Sequence, residues 1–106
     1  MQSGWAVLSA LGWQEAESRL RRFPISLVVT DLEGPGPEDL GWVRRLRAEF
    51  PHVGIIALVA LRTPEVRAAT AEGLFLTVLE KPIALGHLEE AVNSALCRAE
   101  GRRERA

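Results

Sequence analysis

Two charged side chains in this 106-residue sequence stand where chemistry tends to collect. Asp31 lies near the end of the run Leu27-Val28-Val29-Thr30-Asp31-Leu32, which closes into Glu33 and the turn formers Gly34-Pro35-Gly36. Lys81, the single lysine of the chain, follows a second apolar run and precedes Pro82. An apolar run of strand length that ends in a carboxylate and then turn formers predicts a buried parallel strand delivering one acid to the carboxyl edge of a sheet. In open α/β sheets that edge is where ligands and chemistry gather. What Asp31 does there depends on its neighbours. The plain alternative is an acid solvated at a strand end and capping the turn, with Lys81 as its ion-pair partner.

Other reactive residue types form no second constellation. His52 and His87 lie far apart and match no metal-ligand spacing. Cys97 has no disulfide partner in the chain and falls on the apolar side of the last helical segment, which predicts a buried, inert thiol. Gly34-Pro35-Gly36 lacks the spacing of a phosphate-cradling loop and reads as a plain turn. No Ser/His/Asp or Cys/His arrangement converges on the strand ends, so the sequence predicts no enzyme. A net charge of -1 gives no electrostatic pull toward nucleic acid or anionic membrane. The basic tail of Arg98, Arg102, Arg103 and Arg105 is interrupted by Glu100 and Glu104 and reads as a solvated helix end. No window approaches a spanning helix and no signal pattern opens the chain, so a cytoplasmic protein is expected.

The elements that must position Asp31 and Lys81 are legible as alternating strands and helices. Residues 5–10 read as a short strand, and Trp13, Ala16, Leu20 and Phe23 recur at helical spacing until Pro24. After the strand over 26–31, Gly36 and Pro37 can cap and start a helix. Its first turn holds Glu38 and Asp39, and its buried face is Trp42, Val43, Leu46 and Phe50. Residues 54–60 form another fully apolar strand. Thr63-Pro64-Glu65 opens a short helix that runs to about Glu72 and stops at Gly73. Phe75 to Leu79 is the fourth strand, and a final helix carries Leu85, Leu88, Val92, Ala95, Leu96 and Ala99 as its stripe. With 47% apolar and 25% charged residues, this is a single domain over 1–106 with a core over about 5–99. The charged tail, 100–106, is expected to fray. The order β-α-β-α-β-α-β-α implies a parallel sheet between helical layers.

At this point the chain resembles the receiver domains of two-component response regulators. Four stretches in register carry the resemblance. They are Leu27 to Leu32 with Gly34-Pro35-Gly36, the helix Leu40 to Arg47 ending in Phe50-Pro51, the strand Ile55 to Ala60, and Leu79-Glu80-Lys81-Pro82-Ile83 with the helix behind it. The resemblance implies a flavodoxin-like, three-layer α/β/α fold with a parallel sheet, here reduced to about four strands. It implies Asp31 as candidate phospho-acceptor and Lys81 as candidate phosphate-pairing residue, with a Lys81-Pro82 bond that is cis. It also implies a magnesium ion bound by Asp31, the carbonyl of Glu33 and an acidic pair from an opening strand.

The chain departs from that pattern. Either Gly4 to Ala10 is the second receiver strand and the opening β-α unit is absent, or Trp5 to Ala10 is the first strand and Ser9 and Ala10 fill the acidic positions. Both alignments lose the acidic pair, so Asp31 and Glu33 leave a weak, incomplete metal site. The hydroxyl residue that normally reads the phosphate falls at Val59, and the reporting aromatic falls near Val78, with Phe75 the nearest substitute. Asp39 replaces a common glycine. These departures predict a divergent, pseudo-receiver-type signalling and protein-interaction module with impaired or no Asp31 phosphorylation and no cofactor. The alternative is a genuine phospho-acceptor in a phosphorelay. Its partner would be a protein, either a histidine kinase or an output protein. Loss of a strand leaves an apolar edge, which predicts a homodimer.

Overall fold

Gly54–Val59 contains five consecutive apolar residues after a glycine, and it forms the middle strand of the sheet. A strand paired on both sides and covered on both faces has no position for a polar side chain. The computed structural model describes residues 10–32 and 37–105. In chain order they form α1 (Trp13–Arg22), β1 (Leu27–Leu32), α2 (Pro37–Glu49), β2 (Gly54–Val59), α3 (Pro64–Ala71), β3 (Thr77–Glu80) and α4 (Leu85–Arg105). The three strands are parallel, in the order β1-β2-β3. The result is the expected flavodoxin-like α/β/α arrangement in reduced form. The strand expected over 5–10 lies outside the described residues except for Ala10, which is not in a strand.

Alternation along β2 divides the core between two helical layers. Ile55, Ala57 and Val59 face α1, α2 and α3, where they meet Leu20, Val43, Leu46, Val66 and Ala69. Ile56 and Leu58 face α4, where they meet Val92, Ala95 and the flanking Leu88, Ala91 and Leu96. The first layer is also tied at its surface. Trp13 of α1 stacks on Trp42 of α2 with ring centroids 3.9 Å apart. Arg21 donates to Glu17 and Glu49, and Arg44 grips Glu72 at 2.8 and 3.0 Å. The hydrogen bonds to Glu17 and then Glu49 hold the Arg21 guanidinium above its ordinary pKa.

The termini of α3 follow the sequence closely. The Thr63 hydroxyl accepts from the Val66 N–H at 3.2 Å, and Pro64 occupies the first turn. Gly73, at φ 83°, makes the left-handed turn that ends the helix, with Leu74 N–H returning to the Ala69 carbonyl.

Several expectations are corrected. The first described strand is Leu27–Leu32 rather than 26–31, and it is not a fully buried strand: Val29 is 42% exposed. Among the described residues β1 pairs only with β2. The last strand is Thr77–Glu80 rather than Phe75 to Leu79. Phe75 lies buried just before it, and the Leu76 N–H donates to the Ile55 carbonyl ahead of the ladder, which begins at Thr77. Leu85 is 73% exposed rather than part of the buried stripe, because α4 begins beyond the carboxyl edge of the sheet. Cys97 is exposed, not buried: two positions past Ala95, it is rotated about 200° from the packed face. The backbone stays helical to Arg105, where fraying was expected from residue 100.

The Thr63 cap and the Ile56 packing have separable energies. Urea unfolding is expected to show Thr63→Ala destabilised by about 1 kcal/mol and Ile56→Ala by about 2–5 kcal/mol. A Thr63→Ala variant as stable as the parent would mean that the cap does not hold α3.

Candidate functional site

Parallel pairing brings three strand ends to one edge. Asp31 is level with Leu58 of β2, which is level with Leu79 of β3. Lys81 follows β3 directly, and its backbone N–H donates to the Val59 carbonyl at 2.8 Å. The Lys81 backbone lies two strand spacings across the sheet from Asp31 and two residues beyond it along the strands, roughly 12 Å away. An extended lysine crosses that gap over the end of β2. Its Nζ stands 2.7 Å from both Oδ1 and Oδ2 of Asp31. The Asp31 side chain is 51% exposed and that of Lys81 30%, so the pair is open to solvent. The Lys81-Pro82 peptide bond is cis.

The remaining expected site residues fall elsewhere. Val59 is completely buried in the cluster that includes Leu32, Val66 and Val78. It places an isopropyl group at the end of β2, with no hydrogen bond to offer an anion. Val78 is buried in the same cluster, as is Phe75. Glu33 lies outside the described residues, as do Trp5 and the Gly34-Pro35-Gly36 turn. Among the described residues no three His, Cys, Asp or Glu side chains converge as metal ligands. Both Asp31 oxygens face an ammonium group, and magnesium prefers an octahedron of oxygen donors. The described donors therefore do not fit a magnesium ion. His52 and His87 are both exposed.

One contact had no signal in the sequence. Arg62, in the segment between β2 and α3, donates from Nη2 to the Val78 carbonyl at 2.7 Å. A loop arginine has no periodicity to announce its reach, so only the folded backbone reveals the bond.

Neither the scan against protein-family models nor the search of curated proteins gives a match. Solved structures do match. A response regulator from Thermotoga maritima is 32% identical, with 79% of this chain and 70% of that one covered at a TM-score of 0.70. A response regulator receiver domain protein from Clostridium thermocellum is 23% identical over 92% of this chain and 79% of that one, at 0.76. An adenylate cyclase from Rhodopirellula baltica is 18% identical over 96% and 77%, at 0.85. The last two likenesses carry the fold alone.

As a solvated pair, Asp31 and Lys81 should contribute little to stability. A double-mutant cycle with Asp31→Asn and Lys81→Met is expected to give a coupling of about 0.2–1 kcal/mol. That coupling should shrink in about 1 M salt. A salt-insensitive coupling of several kcal/mol would show a desolvated pair instead.

Proposed function

This chain belongs to the response regulator receiver family, and on that premise we propose that it is a signalling module working through protein contact, with impaired phosphorylation of Asp31. The observation that carries this reading is the Asp31–Lys81 pair, which stands at the sheet edge without a converging set of metal ligands among the described residues. An acyl phosphate forms readily only when a hard cation offsets the charge of both carboxylate and phosphoryl group. Here the ammonium of Lys81 offsets one charge only. Val59 and Val78, apolar where a hydroxyl and an aromatic are expected, support the same reading.

The module is proposed to act by binding rather than catalysis, with a histidine kinase or an output protein as partner, and in the cytoplasm. No described helix is long and apolar enough to cross a membrane. A second reading, a genuine phospho-acceptor in a relay, draws on the retained, half-exposed Asp31 with Lys81 already against it.

A second copy of the chain is the other proposed partner. Among the described residues β1 has one free edge, and half-exposed Val29 stands on it. Val and Thr along Leu27–Leu32 favour strand pairing, and no proline or lysine blunts the edge.

Two measurements test these readings. Incubated with acetyl phosphate and magnesium, the chain is expected to keep its unmodified mass. An adduct of about 80 Da that disappears in Asp31→Asn would instead establish the relay reading. Light scattering is expected to report about twice 11.7 kDa, with Val29→Lys shifted toward the monomer. A parent chain that stays monomeric at high micromolar concentration would rule out the homodimer.

A further inference from the structure

β3 is the shortest strand of the sheet, four residues with β2 as its one neighbour among the described residues. Yet it must hold Lys81 accurately enough for one ammonium to reach both oxygens of Asp31. Two hydrogen bonds from the segment that leaves β2 brace this strand. At its carboxyl end, the Lys81 N–H donates to the Val59 carbonyl at 2.8 Å. Three residues earlier, the Val78 carbonyl accepts from Arg62 Nη2 at 2.7 Å. The span from Val78 to Lys81 is therefore held at both ends by residues only three apart, Val59 and Arg62.

From this bracing we infer that Arg62 is a positioning residue for the Asp31–Lys81 site. It touches neither charged partner and acts through the β3 backbone. Its bond is charge-assisted and part-buried, which makes it stronger than a neutral contact at the same length. The segment that carries it is itself anchored by the Thr63 cap of α3. Arg62 thereby links the start of α3 to the placement of the ammonium. A partner that shifted α3 or the residues before it would move Lys81 relative to Asp31 without touching either. The inference rests on reading this edge as the functional site, but its test involves no phosphoryl transfer.

Because Lys81 is the single lysine, its amine can be followed without ambiguity. The folded chain is treated with trace N-hydroxysuccinimidyl acetate, and Lys81 acylation is read by peptide mass against the chain's own α-amine. Asp31→Asn sets the scale by removing the ion pair, with an acceleration of about two- to fivefold expected for an exposed pair. Arg62→Met is expected to recover at least about half of that acceleration, while in the Asp31→Asn background it adds nothing, as required of a residue acting through the pair. Arg62→Lys, which keeps a cationic donor and is resolved as a separate peptide, should restore the parent rate. Arg44→Met, which breaks the distant contact with Glu72, should leave Lys81 unchanged. Equal acylation in the parent and Arg62→Met, or an Arg62→Met effect undiminished in Asp31→Asn, would overturn the inference. A phosphorylated Asp31 would overturn the proposed impairment and leave this result standing.

Discussion

Everything at the functional edge depends on parallel pairing along both sides of β2. A parallel ladder sends all strands out of the sheet in the same direction, so residues distant in sequence leave at one edge. Asp31 and Lys81 are fifty positions apart, and the register on either side of Gly54–Val59 is what sets them within reach. A register slip of one residue on either ladder would turn every side chain of the displaced strand to the opposite layer. The separation of Ile55, Ala57 and Val59 from Ile56 and Leu58 penalises that slip heavily, because each set packs against a different helical layer. The ion pair is thus a product of the core and contributes little to holding it.

This division of labour explains how a site can change while its frame persists. Surface ion pairs contribute little energy, so the acids and hydroxyls of a sheet edge can be replaced without threatening the core. Val59, at the end of β2, is apolar. Its isopropyl group joins Leu32, Val66 and Val78 and lies completely buried, which an apolar side chain favours and a hydroxyl does not. The position contributes to the packed interior rather than to an exposed polar edge.

How much the sequence discloses depends on the range of the physics involved. β2 and α3 are legible because their signals are local: an unbroken apolar run for one, and Thr63, Pro64 and Gly73 for the other. The pairing of Asp31 with Lys81 is legible as well, because both follow from strand ends at a common edge. β3 is misplaced by two residues because Phe75 is apolar whether it sits in a strand or packs inward just before one. Val29 and Leu85 read as buried because hydrophobicity cannot say which face a neighbouring element covers or where a helix overhangs its sheet. Cys97 required the helical phase to be carried accurately from Ala95. Arg62 is the extreme case: its bond to the Val78 carbonyl depends on where two separate segments meet.

One consequence concerns the order in which this chain leaves the ribosome. The helices of the first layer are interleaved with the strands, so Ile55, Ala57 and Val59 are covered soon after they are made. The opposite face, with Ile56 and Leu58, is covered among the described residues by α4, which is made after all three described strands. Until Leu88 through Leu96 emerge, the nascent domain displays half of its interior to water, a surface of the kind that chaperones recognise. Covering of that second face is therefore gated by the emergence of α4.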